Sequence, residues 1–292
     1  MTIFNLGSIN IDHVYRLARL PAAGETLAAA GYTTGLGGKG ANQSVAAALA
    51  GATVRHIGAI GRDGAWALDR MRGFGIDVGA VALLGDQATG HAVVMVDDGG
   101  ENAIVLHAGA NRALPPADVE RALAAAAGTD TLLLQNETSQ QEAAVRLARR
   151  RGLRVICSAA PFDVDAVRAV LPFVTILIVN AVEAAQLQAG LGTGLADLPV
   201  SATVVTRGAA GADWVAAGGG FSVPALAVQA VDTTGAGDCF AGTLAAGLDA
   251  GVSPKQAMRK AAAAAAIQVT RPGASDAMPT AAEVSALLAA GC

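Results

Sequence analysis

Short, continuous apolar runs alternate along the chain with alanine-rich helical stretches, and this alternation restricts the fold more than any other feature of the sequence. The runs lack an alternating apolar–polar pattern, which indicates strands that are covered on both faces. The pattern predicts strands at residues 3–7, 54–60, 131–135, 154–157, 175–179 and 203–206. It predicts helices at residues 40–49, 64–72, 116–126, 140–151, 181–188, 236–250, 254–270 and 281–289. We therefore expect an α/β fold, a doubly wound and mostly parallel sheet with helices on both faces.

Two regions interrupt this alternation. Residues 13–36 show no helical period, and residues 88–108 resemble two strands joined by the turn sequence Asp-Asp-Gly-Gly at 97–100. Neither region contains enough apolar residues for a core of its own. We expect the two regions to form a small β-sheet lid on a single domain that spans residues 1–292.

The bulk composition argues against several classes of partner. The formal net charge is −4 and the sequence pI about 5.5, so no basic surface for nucleic acid or anionic lipid is expected. The N-terminus lacks the basic residues of a signal peptide, and the apolar runs are too short to span a bilayer. Three scattered cysteines, Cys157, Cys239 and Cys292, indicate neither a disulfide framework nor a zinc site. These features favour a cytoplasmic protein without a nucleic-acid or membrane partner.

The sequence DTTGAGDCFAG at residues 232–242 carries the most specific chemical signal. It opens a long helix, and Gly235 and Gly237 allow backbone N–H groups to converge beside the positive end of the helix dipole. Such a turn can hold a phosphoryl group, and Asp238 can accept the proton of a hydroxyl that attacks beside it. Taken alone, the motif could equally be an ordinary helix start with an acidic residue in its first turn.

Three further motifs place polar residues where predicted strands end or helices begin. GLGGKGANQ begins at Gly35 and puts Lys39 and Asn42 at a glycine-rich helix entry that lacks the Walker spacing. GSINIDH begins at Gly7 and spaces Asn10 and Asp12 by two, so in an extended chain they face one side. Asn136-Glu137 follows a third strand. Ligands of open α/β sheets lie beyond the strand ends, although each motif could instead be a turn or a helix cap.

Two weaker motifs follow later strands. Asn180-Ala-Val-Glu183 could be a ligand contact, but it also has the spacing of a capping box, in which the first residue caps the helix and the fourth caps it in return. Thr206-Arg-Gly-Ala-Ala-Gly211 is a glycine-rich turn after a strand. Neither motif assigns a function when taken alone.

Together and in this order, GSINIDH, GGKGANQ, TGHAVVMVDDGGENAIVLHAGAN, NAVEA, TRGAAG, DTTGAGDCFAG and AIQVTRPGA resemble the ribokinase-like (pfkB) carbohydrate kinases over nearly the whole chain. The resemblance implies a doubly wound α/β domain with a β-sheet lid that often forms a dimer contact. It also implies ATP, Mg²⁺ and a monovalent cation, usually potassium, as cofactors.

The resemblance also implies a role for individual residues. Asp238 would be the catalytic base, and the anion hole would comprise Gly235, Ala236 and Gly237. The sugar would be held by Asn10, Asp12, Gly38, Lys39, Asn42 and Glu137. The ATP site would be lined by Asn180, Thr206, Gly208 and Gly211, with Glu183 organising Mg²⁺ through water. The potassium ligands would come from Asp232, Thr234, Gln268, Arg271 and Gly273, several of them through backbone oxygens.

This chain departs from the family pattern at a few positions. Ser158-Ala-Ala-Pro161 stands where many members have Asn-Pro-Ala-Pro. Ala262 stands where His or Asn is often found near the adenine, and Ala277 stands where a serine commonly closes the cation loop. These positions bear on the choice of sugar and nucleotide more than on the reaction.

The resemblance predicts transfer of a phosphoryl group from ATP to the primary hydroxyl of a furanose, with D-ribose, converted to ribose 5-phosphate, as the first candidate. A second interpretation keeps the chemistry and changes the acceptor to another sugar, a sugar acid or a nucleoside. A third is a sensor that binds sugar or nucleotide without catalysis. Retention of Asp238 beside two glycines argues against the sensor.

Overall fold

The computed structural model describes residues 1–290, so Cys292 lies outside the described residues. Within this range the main sheet has nine strands in the order β13-β12-β11-β10-β9-β8-β1-β4-β5. The strands from β11 to β5 in this order are parallel, whereas β12 and β13 form an antiparallel edge. Their ranges are β1 Thr2–Leu6, β4 Thr53–Ile60, β5 Asp77–Leu83, β8 Thr131–Gln135, β9 Arg154–Ser158, β10 Ile176–Asn180, β11 Ala202–Thr206, β12 Ala212–Ala216 and β13 Gly219–Val223.

Helices cover both faces of the main sheet. One face packs against α1 Lys39–Leu49, α2 Ala65–Gly73, α7 Ala236–Asp249, α8 Pro254–Gln268 and α9 Ala281–Ala289. The other face packs against α3 Pro116–Ala124, α4 Gln141–Arg150, α5 Val164–Val170 and α6 Ala181–Leu191. Each face encloses its own apolar cluster, which explains why the central strands are continuously buried.

Small residues allow the two longest helices of the first layer to pack closely. Ala257 in α8 faces Gly247 in α7, where an added Cβ would come within 2.9 Å of the alanine methyl. Gly242 in α7 likewise meets the backbone of Gln43 in α1. The alanine- and glycine-rich composition therefore allows α1, α7 and α8 to pack closely on one face of the sheet.

A second, smaller sheet stands apart from the main one. It contains four strands within residues 1–290, in the order β3-β2-β6-β7. The ranges are β2 Asn10–Arg16, β3 Gly31–Gly37, β6 Gly90–Val96 and β7 Asn102–His107. β6 and β7 are antiparallel and are joined by the turn in which Asp97 Oδ1 accepts hydrogen bonds from Gly99 N and Glu101 N.

The predicted fold class is confirmed, and the predicted strands and helices are present with their ends shifted by a few residues. Helix α5 and strands β5, β12 and β13 were not predicted from the sequence. Helix α5 has only seven residues and begins where Asp163 Oδ1 caps Asp165 N and Ala166 N, so it shows little periodicity. Strands β5 and β13 form the two edges of the sheet and contain glycine, and the neighbouring β12 is only partly buried, so the three strands resemble loops in sequence. No helix within residues 1–290 has the length and hydropathy needed to cross a bilayer.

Candidate active site

Asp238 lies in the first turn of α7 and is almost completely buried. Gly235 caps this helix in the left-handed conformation, with φ of 78°, which explains the glycine at this position. Both carboxylate oxygens of Asp238 accept hydrogen bonds from α1, Oδ2 from Asn42 Nδ2 at 3.1 Å and Oδ1 from Gln43 Nε2 at 2.9 Å. The side chain is therefore fixed in one orientation beside the glycine turn.

Burial raises the pKa of Asp238, whereas nearby Lys39 and the hydrogen bonds from Gln43 and Asn42 lower it. The two influences oppose each other, and the net direction is upward. A buried carboxylate with a raised pKa is a better proton acceptor than a solvated one, provided that it is ionised before the reaction.

The glycine turn before α7 presents free backbone donors. Ala236 N donates to Thr233 O at 3.2 Å, but no backbone hydrogen bond within residues 1–290 uses the N–H of Gly235 or Gly237. The turn stands at the positive end of a 14-residue helix. Two unsatisfied donors at such a position can bind an anionic oxygen next to Asp238.

Glu137 connects three segments at the carboxyl edge of the sheet. Its Oε2 accepts hydrogen bonds from Ser8 Oγ and, at 3.0 Å, from Lys39 N, while Lys39 Nζ lies 3.9 Å from its Oε1. Gly38 precedes Lys39 with φ of 89°, and a Cβ there would come within 2.9 Å of Asn10 N. The glycine loop can therefore lie directly against the β1–β2 connection.

Asn10 and Asp12 both lie at the start of β2, beside this loop. Asn10 Oδ1 accepts a hydrogen bond from Asn111 Nδ2 at 2.8 Å, and Asn111 also bonds the backbone of Ile9. Burial, followed by the charge of Glu137, raises the pKa of Asp12 from 3.8 to about 6, against the opposing charge of Lys39. Two carboxylates and an amide are thus gathered around one lysine, an arrangement suited to several adjacent hydroxyl groups.

A cavity of about 170 Å³ adjoins Asp238 and the glycine turn. Its other walls include Ser158, Asn180 and Thr206 at the ends of β9, β10 and β11, together with Lys39 of α1 and Glu183 of α6. Asn180 and Glu183 also form a complete capping box for α6, so the structural interpretation of this motif is correct. Glu183 can cap α6 and also line the cavity, because only its Oε2 accepts the capping hydrogen bond and Oε1 takes no part in it.

A second cavity of about 380 Å³ lies between the chain after β13 and helices α8 and α9. Its walls are Val223, Pro224, Ala225, Leu226, Ala227, Arg259, Ala262 and Leu288. Gly211 supports this wall, because with φ of 95° its Cα lies so close to the chain that a Cβ would meet Val223 O at 2.1 Å. Gly208, with φ of 54°, has open space around it.

The side chains of Asp232 and Gln268 join the loop before α7 to the loop after α8 by hydrogen bonds to backbone groups. Asp232 accepts hydrogen bonds from Thr234 N and Gly273 N, both at 2.9 Å. Gln268 Nε2 donates to Thr234 O at 2.6 Å and to Gly273 O at 3.1 Å, whereas its buried Oε1 has no partner within residues 1–290. The side chain of Arg271 instead bonds Glu283 on α9, so only its backbone oxygen could serve this loop.

The residues singled out from the sequence thus lie along one edge of the sheet, in a row from the small sheet past Asp238 to the second cavity. Sequence reasoning gave no role to four residues that hold this row together: Ser8, Gln43, Asn111 and Gln135. Ser8, Gln43 and Asn111 lie inside the motifs quoted above, which is a signal of a role in the site. The sequence does not identify their partners, because these are about 100 residues or more away in the chain.

Comparison with known proteins gives a family over nearly the whole chain. The family model described as pfkB family carbohydrate kinase matches residues 2–281. A ribokinase of Haemophilus influenzae is 36% identical over 292 residues, covering 96% of this chain and 95% of that protein. A deoxyribokinase of Salmonella typhi is 31% identical over 294 residues, covering 96% of each.

A solved structure supports the same conclusion. Arabidopsis thaliana ribokinase, complexed with ribose and ATP, superposes with a TM-score of 0.86 at 29% identity and covers 98% of both chains. The matched range includes the glycine turn, Asp238 and both sheets. On the match to the family model and the identity to these relatives, the chain belongs to the pfkB family of carbohydrate kinases.

Proposed function

We propose that this protein transfers the γ-phosphoryl group of ATP to the primary hydroxyl of D-ribose, giving ribose 5-phosphate. The observation that carries the proposal is the position of Asp238, between the polar cluster of β2 and the cavity beside the glycine turn. A base that touches both compartments can take a proton from an acceptor in one while the phosphoryl donor occupies the other. Ribose is chosen because proteins named ribokinase resemble the chain over 95% or more of its length.

Asp238 would act as the base. It would accept the proton of the sugar hydroxyl as the oxygen attacks the phosphorus, and Gly235, Ala236 and Gly237 would stabilise the charge on the transferred group. The free N–H groups of Gly235 and Gly237 support this assignment. The N–H of Ala236 contributes only if its long hydrogen bond to Thr233 O opens.

The sugar would lie among Asn10, Asp12, Gly38, Lys39, Asn42 and Glu137. Carboxylate and amide groups accept hydrogen bonds from adjacent hydroxyl groups, while Lys39 offsets the like charges of Asp12 and Glu137. Glu137 would have one oxygen, Oε1, available to the sugar, because Oε2 already accepts from Ser8 and Lys39.

ATP would extend from the glycine turn along the ends of β10 and β11 into the second cavity. Asn180 and Thr206 line the phosphate side, and Gly208 and Gly211 form the turn between the two cavities. Mg²⁺ fits this arrangement, because it is held in such sites mainly by phosphates and water with one or two carboxylates. Glu183 would organise the ion through water with its Oε1, because its Oε2 accepts the capping hydrogen bond, and no cluster of three acidic, histidine or cysteine ligands occurs within residues 1–290.

The reaction is tested by following ATP consumption with a panel of acceptors. D-ribose is expected to give the highest kcat/KM, with 2-deoxy-D-ribose included because a deoxyribokinase is among the relatives. The panel also contains hexoses, a sugar acid and nucleosides. A higher kcat/KM for any of these would replace ribose as the acceptor, and binding of sugar without turnover would indicate a sensor.

Replacing Asp12 by asparagine is expected to stabilise the folded protein and to weaken substrate binding. The folded protein binds the Asp12 proton more tightly than the unfolded chain, so the wild type loses stability as pH rises from 3.8 to about 6. Asp12→Asn should therefore raise the free energy of unfolding at pH 7.5 by about 1–3 kcal/mol, and by little at pH 4.

The same substitution should weaken the sugar contact, so the KM for ribose should rise about 10- to 100-fold. In the wild type, KM should rise as pH falls below about 6, where Asp12 gains its proton. Urea denaturation and initial rates check the two halves. An unchanged KM at pH 7.5 would remove Asp12 from the sugar site.

A monovalent cation also fits the loops before α7 and after α8. Carbonyl oxygens of Thr234 and Gly273 converge on one amide, Asp232 lies between the same loops, and Gln268 Oε1 is buried without a partner within residues 1–290. These oxygens, with the backbone oxygen of Arg271, suit a hard cation once the Gln268 amide turns its oxygen inward. Bound there, the cation would supply positive charge behind the glycine turn.

Potassium is expected to raise kcat several-fold relative to sodium or lithium at constant ionic strength and Mg²⁺. The cation would fix the N–H groups of the glycine turn before phosphate arrives. Gly273→Ala, at φ of 90°, should weaken the response, whereas Gly251→Ala, at φ of 75° in the turn after α7, is the matched control. A rate independent of the monovalent cation, in protein shown free of potassium, would leave Asp232 as a turn residue only.

The small sheet would cover the sugar as a lid on one domain and would join two protomers. Ile104, Val105 and Leu106 of its edge strand β7 are all more than half exposed, which leaves both an edge and apolar side chains in need of cover. A homodimer is expected in light scattering at micromolar concentration, and Val105→Glu should shift it to monomer. A monomeric wild type would contradict the dimer.

Buried thiols at Cys157 and Cys239 are compatible with a reducing cytoplasm.

A further inference from the structure

A chain of buried side chains runs from Asp238 into the centre of the main sheet. Gln135 Nε2 donates to Gln43 Oε1 at 2.7 Å, and Gln43 Nε2 in turn donates to Asp238 Oδ1 at 2.9 Å. Gln135 Nε2 also donates to Asn5 Oδ1 at 3.0 Å. Asn5, Gln43 and Gln135 are fully buried, so none of them can contact a substrate.

The orientation of each amide in this chain is fixed by groups that can only accept. Asn5 Nδ2 donates to the carbonyl oxygen of Gly40 and to Ser44 Oγ, both at 2.8 Å. Ser44 Oγ bonds His56 Nδ1 at 2.8 Å, and His56 Nε2 meets the carbonyl oxygen of Gly7 at 3.0 Å. A carbonyl needs a donor, so Nε2 carries the proton of the neutral imidazole and Ser44 donates to Nδ1.

Gln135 is the branch point of this chain, because its amide donates one hydrogen bond toward Gln43 and one toward Asn5. Its Oε1 is buried and has no partner within residues 1–290, which costs stability. Reversing the amide would turn Oε1 toward Gln43 and require Gln43 to reverse as well. The Gln43 carbonyl would then face the Asp238 carboxylate, and two acceptors would repel each other. The unsatisfied Oε1 is thus the consequence of an arrangement that presents an N–H to Asp238.

The second oxygen of Asp238 is held in the same manner. Asn42 Nδ2 donates to Oδ2, and Asn42 Oδ1 accepts a hydrogen bond from Ser275 Oγ at 2.6 Å. The titratable groups that face Asp238 from the surrounding elements are Lys39 and Glu137, with Cys239 adjacent on α7. Lys39 favours the ionised carboxylate, whereas burial and Glu137 oppose it, so the amide donors contribute to keeping Asp238 ionised.

We propose that Gln135 is a positioning residue for phosphoryl transfer, which acts through Gln43 to hold an N–H against the Asp238 carboxylate. The inference rests on the proposed function, because it takes Asp238 as the base. It assigns catalytic importance to a fully buried residue on β8 that lies outside both cavities.

The test substitutes methionine for Gln135, which keeps the approximate size and removes the donors. Gln135→Met is expected to lower kcat about tenfold, as for loss of an indirect hydrogen bond to a charged group, with the KM values for ribose and ATP within twofold. The acid limb of the kcat–pH profile should move to higher pH, because a carboxylate that loses a donor gains its proton more readily. Thr203→Val is the matched control, since Thr203 is fully buried on β11 and its hydroxyl has no partner in residues 1–290. This control should keep both kcat and the pH profile.

Gln43→Met gives a second measurement if Gln135→Met folds poorly. Gln43 contacts Asp238 directly, so its loss should lower kcat at least as much and move the acid limb in the same direction. If Gln135 acts only through Gln43, the double variant loses no more kcat than Gln43→Met alone. Thermal unfolding verifies that each variant is folded at the assay temperature.

The outcomes separate this inference from the proposed function. If Asp238→Asn abolishes turnover while folded Gln135→Met, or folded Gln43→Met, keeps the wild-type kcat and pH profile, the positioning role is wrong and the proposed function stands. Additive losses in the double variant would likewise overturn the route through Gln43. If folded Asp238→Asn retains more than about a tenth of the wild-type kcat, the base assignment itself fails.

Discussion

Replacing Asp238 by asparagine is expected to lower kcat by about 10²- to 10⁴-fold, the range that general-base catalysis contributes. The amide has nearly the shape of the carboxylate but cannot take the proton of the sugar hydroxyl. It would also place an N–H group against Asn42 Nδ2 or Gln43 Nε2, which are both donors in the wild type. Coupled-assay initial rates measure the effect, and a fluorescent nucleotide should bind with unchanged Kd.

Asp249→Asn is the matched control for this substitution. Asp249 ends the same helix, is also buried, and accepts a hydrogen bond from Thr131 Oγ1 at 3.0 Å. Asp249 lies at the opposite end of α7 from the glycine turn, so its replacement touches no group of the proposed mechanism. The kcat of Asp249→Asn should therefore remain within about twofold of the wild type. A folded Asp238→Asn variant with more than about a tenth of the wild-type kcat would disprove the base assignment.

Replacing Gly40 by alanine is expected to lower the free energy of unfolding by about 3 kcal/mol or more, at the upper end for overpacking of a core. A Cβ at Gly40 would lie 2.3 Å from Gly7 Cα and from Ser8 N. Both atoms belong to the backbone, so no side-chain rotation can relieve the overlap. The gain in helix propensity from glycine to alanine, about 1 kcal/mol, is too small to offset it.

Gly73→Ala serves as the matched control, because Gly73 also lies in a helix but has nothing within 4 Å of an added Cβ. It should leave stability unchanged or raise it slightly. Urea denaturation measures both variants. Gly40→Ala should also weaken ribose binding, because the overlap would displace Gly7 and Ser8, and this segment leads directly to Asn10. Equal stability of the two variants would show that α1 can move away from β1 without cost.

The mostly parallel sheet and its two helical layers follow from features that are local in the sequence. Continuous apolar runs and alanine-rich helices specify parallel strands with two covers, and the turn at Asp97–Gly100 specifies a hairpin. Short elements escaped this reasoning. Helix α5 is too short to show a period, β12 has only five residues that are mostly half-buried, and β13 begins with two exposed glycines.

The candidate site was predictable where a residue type is required by the backbone or by chemistry. Gly235, Gly38 and Gly211 adopt positive φ values, and Asp238 follows the glycine turn directly in the sequence. In contrast, the sequence indicates the capping box of Asn180 and Glu183 but does not indicate whether these residues also border a cavity. Capping depends on residues three apart, whereas a cavity depends on three strand ends.

The sequence by itself determined the family and the fold class and singled out the candidate motifs, because these depend on residue types and spacings along the chain. Only the tertiary structure decided how Gln43 and Gln135 face Asp238, that Glu137 is held by Ser8 and Lys39, and that burial raises the pKa of Asp12 to about 6. Hydrogen-bond direction and desolvation depend on every group that surrounds an atom in space. In this fold, those groups come from strands and helices that lie far apart in the chain.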